Sequence, residues 1–383
     1  MERHAIAPRG DWKSIVEGQG LIWHSEGEDA YWDESAYYSF RADEIELIEA
    51  ASEELYRLFL EAGDRIASDF TLLEMFGIPS FCHKAIRQAW RDEPPSLNYG
   101  RFDLGYSGVG DPKLFEFNCD TPTSMLEAGV IQWEWKEALF PDHDQFNSLH
   151  ERLIGRWAEL RPRLPGKRVW FTHTHDPSYE DVITTTYMRD LAAQAGLETL
   201  AVVIDDIGLD ADGRILDADD QVMTAIFKLY PWEWIVNEAY GPAIVRQLPA
   251  TAWIEPIWKM IWSNKAILQI LWNMFPDHPN LLAASVRQEK IGTSYVAKPF
   301  LAREGANIEV VERGTTVARS EGAYREGLTM YQEFYPLRDF GNGYPVIGSW
   351  VVDGHAAGMG IREDGLITGN RARFVPHVIE RAS

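Results

Sequence analysis

The chain has 383 residues, 45% hydrophobic and 25% charged, a balance that supports a large globular core. Lys plus Arg number 36 against 59 Asp plus Glu, giving a net charge of −23, which argues against a nucleic-acid-binding protein and is compatible with a cationic substrate or simply a solvated surface. No run is long and apolar enough to span a membrane, the first residues carry no signal-like apolar core, and two cysteines are too few for a disulfide framework, so the cytoplasm is the expected location.

Neither repeats nor low-complexity tracts interrupt the chain. Residues 41–66 place Ile45, Ile48, Leu55, Leu58, Ala62 and Ile66 near helical spacing, which predicts an amphipathic helix. From Asn98 the texture changes. GRFDLGYSGVGDPKLFEFNCD reads as a β-hairpin around a Gly-Asp-Pro turn. Beyond 167, strand candidates at 168–172, 199–204 and 224–230 surround a helix candidate at 179–195, the signature of a parallel α/β unit. Residues 257–275 read as one apolar helix. Short strands follow at 294–298, 330–335, 346–352 and 358–362, with an Asp353-Gly354 hairpin turn between the last two. The last third therefore has an antiparallel α+β texture. Fifteen Trp residues, clustered at 133–135, 232–234 and 253–272, read first as core and second as substrate-stacking groups.

The strongest chemical signal is the hairpin. Strand alternation places Arg101 and Asp103 on one face, and Glu116, Asn118 and Asp120 on one face of the partner strand. Two carboxylates and an amide suit a hard cation whose shell nucleotide phosphates complete, and a neighbouring arginine suits a transferring phosphoryl group. The competing reading is a solvated outer face. Asp120-Thr121-Pro122-Thr123-Ser124 offers hydroxyls to a substrate, or a turn and helix cap. Lys298 ends a strand before the glycine-containing loop 303–308, an arrangement able to close over phosphates; the alternative is a plain hairpin with a snorkelling lysine. Arg362, with Glu363 and Asp364, can grip an acyl phosphate or belong to the surface. His173, His175 and Asp176 have too few companions for a transition-metal site. Cys119 has no partner pattern for a nucleophile.

Taken together, GRFDLGY, FEFNCDTPTSMLEAG, VAKPFLAREGANI, MYQEFYPL and PVIGSWVVDGHAAGMGIRED resemble, in the same order, the synthetase half of the glutathionylspermidine synthase family, within the ATP-grasp superfamily. The resemblance covers nearly the whole chain. It implies an α/β ATP-grasp fold of circularly permuted order, with a parallel α/β lobe on the substrate side. It further implies an ATP- and Mg2+-dependent carboxylate–amine ligase working through an acyl phosphate, on a peptide-like acid and an amine or polyamine.

By the same resemblance, Asp103, Glu116 and Asn118 match the ligands of two Mg2+ ions. Arg101 and Arg362 match the arginines that stabilise phosphoryl transfer. Lys265 and Lys298 match the lysines on the ATP phosphates, Gln332, Glu333 and Phe334 the adenine hinge, and Gly305 lies in the lid loop 303–308. Thr121, Thr123 and Arg303 match positions that bind the acid; the threonines stand where the family has serines. Glu180 or Asp181 is the candidate to guide the amine and take its proton. No cysteine-hydrolase segment precedes these motifs, so amidase activity is not expected. The expected division is a helical region at 1–97, the metal hairpin and its helix at 98–165, the parallel lobe at 166–255 and the nucleotide lobes at 256–383. A phosphotransferase or ATPase, and a non-catalytic nucleotide-binding module, are the alternatives. Small molecules are the expected partners, without nucleic acid or membrane, and the oligomeric state is undefined.

Overall fold

The computed structural model describes residues 1–27, 29–175, 179–323 and 327–381. Its architecture is the expected mixed α/β one, organised around three large sheets. The hairpin forms as Tyr99–Gly105 and Lys113–Asn118. It is one side of a five-stranded antiparallel sheet that continues through Tyr344–Val352, His355–Asp364 and Arg373–Val375. In its register Asp103 lies opposite Glu116, Arg101 opposite Asn118, and Phe102 opposite Phe117.

Alternation then sorts the two faces. Phe102 and Phe117 stack at 3.9 Å on the rear face, where Phe59 of the helix Ala42–Ser68 meets both edge-on. The helix forms where its 3.6-residue apolar period predicts, and buries Ile48, Leu55, Phe59 and Ala62 completely. Ser52 ties it to the sheet through a 2.7 Å hydrogen bond with Ser349. With its rear covered, the sheet leaves the polar set Arg101, Asp103, Glu116 and Asn118 facing forward.

The parallel unit also forms. Strands Ala252–Ile254, Ala225–Lys228, Arg168–His173 and Glu198–Val203 lie side by side in that order, all parallel, with Glu180–Gln194 as the crossover helix. A third sheet, wholly antiparallel, carries Tyr295–Pro299 between Thr329–Glu333 and Glu309–Glu312. The Asp353-Gly354 turn has both residues at positive φ, as a tight hairpin requires.

Three expectations need correction. Residues 257–275 are not one helix but two, Lys259–Trp262 and Ile267–Met274. Asn264 breaks them: its side chain bonds the Phe76 carbonyl at 2.9 Å and caps the Ala266 N–H at 2.9 Å, while the Lys265 N–H turns out to the Phe300 carbonyl. Asp120 does not share the face of Glu116 and Asn118. The strand ends at Asn118, and Asp120 turns inward to a buried ion pair with Lys228 at 2.5 Å and accepts the Trp232 N–H. The first segment is also not purely helical, since Glu2–Ala5 and Ala36–Phe40 form a sheet with His377–Ile379. Asp176 of the histidine-containing loop lies outside the described residues. Among the described residues, no helix is long and apolar enough to cross a membrane.

Candidate functional site

The forward face of the antiparallel sheet, the third sheet and the parallel unit enclose a cavity of about 420 Å³. All sixteen predicted site residues line it. The strand Tyr99–Gly105 delivers Arg101 and Asp103, whose side chains pair at 2.8 Å. Two strands away, Arg362 reaches the other oxygen of Asp103 at 2.5 Å. Asp103 is therefore clamped between two guanidinium groups, and Arg362 Nε is left buried without a partner. Close packing permits this. Gly348, in the adjacent strand, faces Arg101 so tightly that a Cβ there would come within 2.7 Å of Arg101 Cδ.

From the partner strand, Glu116 and Asn118 complete the cluster. The Asn118 amide donates to Asp103 at 3.1 Å and to Glu116 at 3.2 Å. Lys265, presented by the break between the two short helices, approaches Glu116 at 3.2 Å and donates to the Ala302 carbonyl. Lys298, inside its strand, donates to Gln332 at 2.8 Å and to the Phe115 carbonyl at 3.1 Å. Burial alone would raise the Glu116 carboxyl, but Lys265 and Lys298, with the Asn118 amide, hold it down to about 2. Burial pushes Lys298 down to about 8, with Glu116 opposing.

Among the described residues no three His, Cys, Asp or Glu converge on one metal position. The donor set that does converge is two carboxylates and an amide, which is too sparse and too hard for zinc. It fits magnesium, which draws the rest of its shell from water and phosphate oxygens. The Gln332 side chain is engaged by Lys298 and by the Leu114 carbonyl, so it braces the strand Thr329–Glu333, while Glu333 and Phe334 continue the wall.

Opposite stand the loop residues. Arg303 donates to Thr121 Oγ1 and to Glu233, each at 2.6 Å. Gly305 has φ +68 and lies so close to Thr368 that a Cβ would meet its carbonyl at 2.5 Å, which packs the 303–308 loop on the 366–370 loop. The Thr123 carbonyl accepts from Arg101 at 2.8 Å. Ser124 does not cap the following helix with its side chain; its hydroxyl lies 3.3 Å from that of Tyr31. Glu180 and Asp181, at the start of the crossover helix, also face the cavity. Burial raises Glu180, a hydrogen bond with Thr123 opposes this, and Asp181 and Glu304 add to the rise. Cys119 is fully buried and burial pushes its thiol well up, which fits a packed side chain and no nucleophile.

Sequence reasoning missed Trp23, Tyr31 and Trp234 in the wall, and Glu127 behind it. Trp234 carried a trace in the WEW cluster. Nothing around Trp23 or Tyr31 distinguishes them from core aromatics.

Comparison with known proteins gives a consistent picture. Residues 3–380 match the family model described as glutathionylspermidine synthase preATP-grasp. A candidate acid–amine ligase from Haemophilus influenzae is 37% identical over 362 residues, covering 91% of this chain and 90% of that protein. The trypanothione synthetase of Crithidia fasciculata is 30% identical over 84% of this chain, and the bifunctional glutathionylspermidine synthetase/amidase of Escherichia coli 29% over 86%. The chain spans about half the length of these two, 53% and 56%. A glutathione synthetase-like effector from Globodera pallida shares the fold, with a TM-score of 0.54 at 12% identity, covering 98% of this chain and all of that one.

Proposed function

This chain belongs to the glutathionylspermidine synthase family, and from that premise we propose that it is an ATP- and Mg2+-dependent ligase of the cytoplasm joining a peptide-like acid to an amine or polyamine. The observation that carries the reading is the clamping of Asp103 between Arg101 and Arg362, with Glu116 and Asn118 beside it and Lys265 and Lys298 within reach. One guanidinium is enough to balance the Asp103 carboxylate, so the second leaves positive charge in the cluster. A site that must take up phosphate charge and then release it gains much from both signs held ready.

Asp103, Glu116 and Asn118 would hold magnesium, which supplies charge neutralisation across the nucleotide phosphates. Lys265 and Lys298 bind those phosphates, and Gln332, Glu333 and Phe334 with the Gly305 loop enclose the nucleotide. Thr121, Thr123 and Arg303 receive the acid and hold its carboxylate for attack on the terminal phosphorus. Arg101 and Arg362 stabilise the charge that spreads over the transferring group. Glu180 and Asp181 attract the cationic amine, whose neutral form then displaces phosphate from the acyl phosphate.

ADP release measured across a matrix of small peptides and amines, with mass spectrometry of products, tests this. ADP that forms only with both an acid and an amine, together with an amide product, establishes the ligase. ADP formed with an acid alone and no amide would make the site a phosphotransferase or ATPase. Tight ATP binding without turnover would make the chain a binding module.

A further inference from the structure

Among the buried acids beside the cavity that the chemistry above does not use is Glu127. Glu127 sits in the π-helical turn Glu127–Ile131, only 4% exposed, behind the cavity wall. Its Oε1 accepts a 2.7 Å hydrogen bond from the Tyr31 hydroxyl. Tyr31 lines the cavity, with its ring tilted against Trp23 at a centroid distance of 4.7 Å and its hydroxyl 3.3 Å from Ser124 Oγ. A single phenol thus links the cavity to a buried carboxyl. The charged groups that act on Glu127 are Glu180 and Arg101, with opposite effects.

We propose that Tyr31 and Glu127 form the proton path of the amine step, with Tyr31 as the catalytic residue that touches the amine and Glu127 as the positioning residue that receives the proton through it. This rests on the ligase reading. As the amine nitrogen forms its C–N bond to the acyl carbon, the C–O bond to phosphate breaks and phosphate leaves with that electron pair. Before that attack the alkylammonium nitrogen gives one proton to the Tyr31 oxygen while the Tyr31 proton passes to Glu127; the second proton, made strongly acidic by acylation of the nitrogen, leaves on the departing phosphate. The phenol is restored, the carboxylate becomes a carboxylic acid, and Glu127 returns its proton to solvent between turnovers. Glu180 and Asp181 remain free of this task and hold the cation. Burial is the largest influence on Glu127 and pushes its carboxyl up to about 7, with the Tyr31 hydrogen bond opposing, so it exchanges protons near neutral pH.

The test uses the full chain with Tyr31→Phe and Glu127→Gln, comparing an alkyl amine with hydroxylamine as the nucleophile. Hydroxylamine nitrogen is already uncharged at neutral pH and loses its proton without help. The alkyl-amine rate falls roughly 100-fold in either variant, the loss typical of a missing general base, while the hydroxylamine rate holds. The wild-type pH–rate profile with the alkyl amine shows an ionisation near 7 that Glu127→Gln removes. Equal losses with both nucleophiles, or no loss with the alkyl amine, would overturn the proposal. If the wild type itself formed no amide with any amine, the ligase reading would fail first, and this proposal with it.

Discussion

The two walls of the cavity bury carboxylates with opposite results. On the antiparallel sheet each acid has cations in reach: Asp103 lies between Arg101 and Arg362, and Glu116 against Lys265. Burial loses there, and Glu116 is held to about 2. On the wall built from the N-terminal segment, the π-helical turn Glu127–Ile131 and the crossover helix, burial wins. Glu127 rises to about 7, and Glu180 is raised with Asp181 and Glu304 adding to the effect. Desolvation always disfavours the charged form, so the neighbouring charges decide the outcome. On the proposed reading, this first wall takes phosphate charge that arrives and leaves. On the same reading, the second wall receives a cation or a proton.

Removing the charge from the first wall should have the largest effect. Glu116→Gln leaves Lys265 and Lys298 without their counter-ion, and ADP-forming turnover should fall roughly 1,000-fold with the circular dichroism spectrum unchanged. An active variant would remove Glu116 from the site. The joint between the walls is the Lys228–Asp120 pair, 0% and 1% exposed. Lys228→Met strands a buried carboxylate and should cost about 3–5 kcal/mol in chemical denaturation. Stability equal to wild type would mean that the pair adds nothing to the stability of the fold.

The second wall makes a prediction with a sign. Glu127 titrates near 7 in the fold against 4.5 ordinarily, so the fold prefers its protonated form. That stabilising preference is fully present below pH 4.5 and is lost as pH rises through 7. Glu127→Gln is neutral throughout. It should match wild type in acid and exceed it above neutrality, by on the order of 3 kcal/mol. A difference that does not change with pH would place Glu127 in a different charge state. The smallest effect is geometric. Gly348→Ala crowds Arg101 and should lower kcat about tenfold while KM for ATP changes less; an unchanged kcat would show that Arg101 can shift without consequence.

Much of the first wall is legible in the sequence, because alternation along a strand is a local rule. Arg101 and Asp103 share a face for the same reason that Phe102 does not, and the turn at Gly110–Pro112 makes the two strands partners. Asp120 escaped the rule because the strand ends two residues earlier, and Lys228 and Trp232, 108 and 112 residues away, explain where it goes. The long helix was legible from its period. The break at Asn264 was not, because Phe76, which holds it, is 188 residues distant. Tyr31 and Glu127 were invisible for a similar reason. They meet 96 residues apart, on segments whose local patterns say only strand, turn and helix.

The clamp on Asp103 also carries a consequence for biosynthesis. Arg362 lies 259 residues downstream, on a strand that reaches the hairpin only through Tyr344–Val352, which lies between them in the sheet. Loop closure over such a span comes late, and a nascent chain emerges in order from its N-terminus. A partial polypeptide can present the hairpin acids and Arg101, yet it lacks the second guanidinium and the strand on which Gly348 makes room for the first. Prematurely terminated chains should therefore be inert toward the nucleotide, so the fold itself couples catalytic competence to near-complete translation.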